Sequence, residues 1–133
     1  MPDTIHKEID FTASPRRVYE ALLDSKQFTA FSGAPAQIEP EAGGAFSCFD
    51  GVITGRNIEL TPYRRIVQAW RVKMWPEGVY SLVTFDLQER GSGTRLAVLH
   101  QGFPGEMRAQ LNGELPEGGW NRRYLDPLKR YLG

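Results

Sequence analysis

Two histidines, one cysteine and a few polar residues on apolar strands are the reactive material of this chain. His100 shares its alternation with Leu96 and Val98, so it is expected to face the interior of a sheet. There it is either a buried imidazole satisfied by its neighbours or the polar anchor of a ligand cavity. Arg56 keeps phase with Val52, Thr54, Ile58 and Leu60 and is a second inward candidate; the plainer reading is an exposed arginine on a twisted strand. Gln68 interrupts an otherwise apolar phase and is the third. Cys48 lies between Phe46 and Phe49, where a thiol ordinarily packs as a small hydrophobe. Nucleophilic use would need a basic partner to lower its pKa, and no cue supports one. Trp70, Trp75 and Trp120 read as core and turn packing or as an aromatic cage for a ligand.

Motifs that spell out a reaction are missing. No Gly-x-Ser-x-Gly elbow occurs, and Gly91-Ser92-Gly93 lacks the third glycine of a phosphate-binding loop and reads as a hairpin turn. One cysteine excludes an internal disulfide and a cysteine-cluster zinc site, and two histidines leave little material for a histidine centre. No metal and no cofactor are therefore expected, and no residue is assigned a catalytic role.

The elements that would position these residues follow from period and punctuation. Thr4 to Phe11 alternates as a half-buried strand, with Ile5, Lys7, Ile9 and Phe11 on one face. Ser14-Pro15 is a cap and first turn for a helix carrying Val18, Leu22 and Leu23. Phe28 and Phe31 mark a second short helix ending at Ser32-Gly33. After Pro35 the period becomes two. A short edge strand at Ala36 to Glu39 is followed by strands flanking the Asp50-Gly51 hairpin signal. Next comes Arg65 to Trp75, with Ile66, Trp70, Val72 and Met74 in one phase. Val79 to Leu87 places Val79, Ser81, Val83, Phe85 and Leu87 on one face, and Thr94 to Gln101 is the last strand. Links this short imply antiparallel neighbours. The tail is helical, with Trp120, Tyr124, Leu128 and Tyr131 as its apolar stripe. Pro127 within it predicts either a kink or a fresh turn capped by Asp126.

Composition narrows the classes. The chain has 133 residues, enough for a single domain over 1–133 that buries about 68% of its unfolded surface. Sixteen basic and sixteen acidic side chains give a formal net charge of +0, which argues against nucleic acid or an anionic membrane surface as partner. The first residues lack an apolar core, and no uncharged stretch approaches the roughly 20 residues of a membrane span, so a cytoplasmic setting is expected.

Three stretches carry a family resemblance. The run Gly44-Ala45-Phe46-Ser47-Cys48-Phe49-Asp50-Gly51-Val52-Ile53-Thr54-Gly55 is the first. Ile66-Val67-Gln68-Ala69-Trp70-Arg71 followed by Trp75-Pro76-Glu77-Gly78 is the second. Gly102-Phe103-Pro104, Gly118-Gly119-Trp120 and Pro127-Leu128-Lys129-Arg130-Tyr131-Leu132 make the third. Together they resemble the C-terminal-domain family of the activator of the heat-shock protein 90 ATPase, within the START-like (SRPBCC) superfamily that includes the birch-pollen-allergen fold. The resemblance implies an α+β helix-grip architecture. A curved antiparallel sheet wraps a long C-terminal helix, two short helices follow the first strand, and a cavity often lies between sheet and helix. It also implies a non-catalytic binding domain, with an Hsp90-type chaperone as weak, stress-related partner. The eukaryotic activator has a separate N-terminal domain for which 133 residues leave no room, so little ATPase stimulation is expected.

One alternative is a carrier or sensor of a small hydrophobic ligand, for which Trp70, Val72, Val83, Phe85, Leu96, Val98, His100, Trp120, Tyr124 and Leu128 are the cavity candidates. A second alternative is a small cyclase-like enzyme.

Overall fold

The computed structural model describes residues 3–107, 111 and 119–132. Seven strands form one antiparallel sheet: β1 (Asp3–Phe11), β2 (Gln37–Ile38), β3 (Ala45–Cys48), β4 (Ile53–Thr61), β5 (Arg65–Val72), β6 (Ser81–Arg90) and β7 (Gly93–Phe103). Their spatial order is β1-β7-β6-β5-β4-β3-β2, a meander whose last strand returns to pair with the first. Two helices, α1 (Pro15–Leu23) and α2 (Ser25–Ser32), connect β1 to β2. The tail holds a π-helical turn (Asn121–Leu125) that runs directly into α3 (Asp126–Leu132). This is the helix-grip arrangement, with the terminal helix against the concave face of a curved sheet.

Local chemistry explains most boundaries. Ser14 caps α1 by accepting from the Arg17 amide at 3.3 Å, and Pro15 supplies the helical φ of the first turn. α2 ends at Gly33, whose φ of 76° is the left-handed conformation that closes a helix. At the β3–β4 hairpin Asp50 and Gly51 both have positive φ, and the Val52 amide donates to the Phe49 carbonyl.

Three expectations are corrected. The phase of β4 is the reverse of that expected from Val52, Arg56 and Ile58. Those side chains are exposed, and Asn57 is the buried one. The register shifts between Asn57 and Glu59, so Ile58 is the extra residue of a bulge and the alternation changes phase there. Arg56 accordingly points outward, donating to the Gly43 carbonyl at 3.0 Å.

β5 stops at Val72, short of Trp75. The Trp75 amide turns back to the Val72 carbonyl, which leaves Met74 60% exposed and buries the Trp75 ring. Arg71 holds this turn with its guanidinium on the carbonyls of Trp75, Pro76 and Val79.

Asp126 does not cap a fresh turn: it has ordinary helical φ and ψ, and α3 continues from the π-helical turn without an interruption. Proline has no N–H and crowds the carbonyl four residues back. The preceding turn widens instead, and the Asp126 amide reaches the Asn121 carbonyl five residues back. One extra residue is thereby accommodated in that turn. The buried face reads Trp120, Tyr124, Leu125, Leu128 and Leu132, and Tyr131 is exposed. Glu117 and Gly118 lie outside the described residues.

The backbone leaves no room at Gly55. A Cβ there would sit 1.8 Å from the Ala69 carbonyl oxygen and 2.8 Å from Phe46. Gly55→Ala should therefore displace β4 from β5 and cost about 1–3 kcal/mol, the usual range for overpacking. Urea unfolding measures it, and a loss under about 0.5 kcal/mol would mean that the strands do not approach so closely.

Candidate functional site

The centre of the concave face is solid. Val83 and Phe85 of β6, Leu96, Val98 and His100 of β7, and Leu128 of α3 are all fully buried. Tyr124 packs against Phe28, Phe49, Phe85 and Trp120 at centroid distances of 4.9–5.9 Å, which ties α2, the β3–β4 turn and the sheet to the tail. Trp120 stacks on Trp70 at 4.9 Å and 21°.

Two polar relays run through this core. Trp70 Nε1 donates to Gln68 Oε1 at 2.8 Å, Gln68 Nε2 to Asn57 Oδ1 at 2.9 Å, and Asn57 Nδ2 to the Glu39 carbonyl at 2.9 Å. On the other side Trp120 Nε1 donates to His100 Nδ1 at 3.0 Å, and His100 Nε2 meets Ser81 Oγ at 2.6 Å. An indole only donates, so His100 Nδ1 must accept; its proton then sits on Nε2 and is given to Ser81. Burial pulls the pKa of His100 down to about 3, so the imidazole is neutral at ordinary pH. It faces Trp70, Phe103 and Trp120 rather than a carboxylate. Burial also pushes the Cys48 thiol up to about 12, which makes it a packing group.

Beside this core lies a cleft of about 520 Å³. The C-terminal end of α2 (Ser32, Gly33, Ala34), the β3–β4 turn (Phe49, Val52, Ile53), the end of β5 (Trp70, Val72, Trp75) and the tail (Trp120, Arg123, Tyr124, Pro127) form its walls. Of the ten cavity candidates, Trp70, Val72, Trp120 and Tyr124 border the cleft. Val83, Phe85, Leu96, Val98, His100 and Leu128 lie packed beneath. Asn57 and Ser81 were not among them. Ser81 was already in phase with Val83, but Asn57 was concealed by the bulge that follows it. Among the described residues, no three His, Cys, Asp or Glu side chains come together as a metal site, and no helix is long and apolar enough to cross a membrane.

Residues 12–133 match the family described as Activator of Hsp90 ATPase homolog 1-like protein. The chain belongs to that family. It is 32% identical over 123 residues to the human activator of 90 kDa heat shock protein ATPase homolog 1, covering 92% of this chain and 35% of that protein. It is 33% identical over 127 residues to the corresponding homolog of Dictyostelium discoideum, covering 95% and 32%. The chain thus spans about a third of the length of these curated relatives. An HSP90 activator from Plasmodium falciparum superposes with a TM-score of 0.86 at 26% identity, covering 98% of this chain and 96% of that one. The helix-grip fold expected from the sequence resemblance is therefore the fold of the activator family.

Two measurements check the seam between helix and sheet. Trp120→Ala removes a stacked, hydrogen-bonded ring and should cost about 3–5 kcal/mol; a loss below about 1 kcal/mol would place the ring outside the core. His100 gives a pH signature. Its folded pKa lies below the unfolded value near 6.5, so its neutral form contributes fully above that value, and stability falls as the pH drops from about 6.5 toward 3. The loss should be on the order of 1 kcal/mol per pH unit, and His100→Gln should flatten it between pH 6.5 and 5. A wild-type urea midpoint that does not move across that window would contradict a buried neutral imidazole.

Proposed function

We propose that the chain is a non-catalytic binding domain that engages an Hsp90-type chaperone weakly and through its surface. The observation that carries this reading is the family match across residues 12–133 together with a concave face filled by its own side chains. A solid interior favours recognition on the outside of the fold. Among the described residues of the tail, Arg123, Lys129 and Arg130 are exposed beside the exposed acid Asp126 and make a locally basic strip on a chain of zero net charge. Such a strip fits an acidic patch on a partner and gives affinity that salt weakens. A domain of this size offers an interface at the small end of the range, which goes with transient binding. Little stimulation of the chaperone's ATPase is expected from it.

NMR titration with an Hsp90-type chaperone at low and moderate salt tests this. Shifts confined to exposed amides, with a Kd in the micromolar range or weaker that rises with salt, are the expected result. Absence of shifts at high micromolar chaperone would remove the chaperone from consideration.

A second reading has its own observation, the 520 Å³ cleft, which is mostly apolar in lining and large enough for a small molecule. In that reading the domain carries or senses a small apolar ligand held between α2, the β3–β4 turn and the tail.

A further inference from the structure

The connection between β5 and β6, residues 73–80, is braced along its length. The Arg71 guanidinium donates to the Trp75 carbonyl at 2.8 Å, to the Val79 carbonyl at 3.3 Å and to the Pro76 carbonyl. The Trp75 ring is buried, Gly78 takes a φ of 83°, and the Val79 amide closes on the Pro76 carbonyl at 3.1 Å. The Lys73 amide donates to the Val52 carbonyl at 2.8 Å, which fastens the connection to the β3–β4 hairpin. A segment held this firmly nevertheless sets two large side chains in solvent. Met74 is 60% exposed and Tyr80 55%, with Val52, 42% exposed, on the neighbouring hairpin. Tyr63 and Tyr131 are exposed too, but each leans on another ring, Tyr19 at 5.5 Å and Phe31 at 6.3 Å.

Methionine and tyrosine are favoured at protein interfaces, and side chains on a braced backbone meet a partner at a small cost in lost freedom. The formal charges on the same two turns are of both signs, Asp50 and Glu77 against Lys73, all exposed. Such surroundings neither steer nor repel a charged partner strongly, so an occupant is held here by burial of apolar surface. We propose that the β5–β6 turn is the apolar anchor of the chaperone contact, with Met74 and Tyr80 entering a hollow of apolar lining on an Hsp90-type chaperone. This rests on the reading of the chain as a chaperone-binding domain and assigns the part of its surface that supplies the affinity. Val52 and Arg123 border the same cleft, so the turn and the basic strip of the tail fall within the span of one partner surface of about 800 Å². The strip confers the salt dependence, and the turn contributes affinity that salt leaves in place.

The full chain is titrated with an Hsp90-type chaperone at low and moderate salt and followed by NMR and calorimetry. The amides of Val52, Lys73, Met74 and Tyr80 should shift. Met74→Ser and Tyr80→Ser should each raise Kd about fivefold or more, the scale of an interface hot spot, and leave the slope of log Kd against log salt as in the wild type. Lys129→Gln combined with Arg130→Gln should flatten that slope instead. Amide spectra and urea midpoints of the variants confirm the fold. Wild-type binding whose shifts spare those four amides, or a Kd that stays within twofold in both turn variants, overturns the anchor and leaves the chaperone reading standing. A loss of affinity in the turn variants that disappears at moderate salt overturns the apolar character of the contact. No binding of the wild type at high micromolar chaperone overturns the chaperone reading and the anchor with it.

Discussion

The hydrogen bond from the Trp120 indole to His100 is the constraint around which the rest of the structure is arranged. It crosses the seam between the terminal helix and the concave face, where any unpaired polar atom would lose its water without replacement, at a cost of about 1–3 kcal/mol. Because an indole has nothing to accept with, it demands a neutral imidazole, and the apolar surroundings of His100 hold the ring in that state. The same requirement acts on Trp70, stacked against Trp120, and is met by Gln68 and Asn57. Two large aromatic rings are thus locked in orientation by their polar edges as well as by packing. The tail has one way to sit.

That seating also accounts for the shape of the helix. Trp120 and Tyr124 must meet the sheet while Leu128 and Leu132 cover the core further along, with Pro127 between the two pairs. A regular helix through Pro127 would drive its ring against a carbonyl. The widened turn absorbs the conflict and rotates the chain enough to add Leu125 to the buried face. The cleft lies along this turn, so Arg123 and Pro127 reach its edge because of an irregularity that the proline imposes.

Much of the fold was readable because local signals were unambiguous. Ser14-Pro15, Gly33 and Asp50-Gly51 each have a conformational preference that only one local structure satisfies. The even alternation through Val83, Phe85, Leu96 and Val98 put His100 inside without knowledge of its neighbours. What escaped were the places where period and backbone part company. The bulge at Ile58 turned Arg56 outward and Asn57 inward, the tight turn after Val72 exchanged Met74 for Trp75, and the widened helical turn exchanged Tyr131 for Leu132. A two-residue or 3.6-residue period cannot register a single added residue. The candidate site was legible only in part for a related reason: its walls come from segments far apart in sequence, and Arg123 sits in the irregular turn. The family was legible through sequence resemblance alone, since Trp70, Gln68, His100 and Trp120 would look the same in any well-packed core.

The pairing of β1 with β7 bears on how the chain reaches this state. Phe11 faces Thr94 and Asp3 faces Phe103, so the first strand has no partner until most of the sequence exists. The hairpins from β3 to β7 close short loops and can form early, whereas docking β1 must overcome the entropy of a long closure before it gains any contact. During synthesis β1 would wait unpaired, its Ile5 and Phe11 uncovered. Lys7 stands between them on the same inward face, half-buried in the finished sheet. A charge at that position discourages the waiting strand from pairing with the wrong edge, a safeguard built into the strand itself.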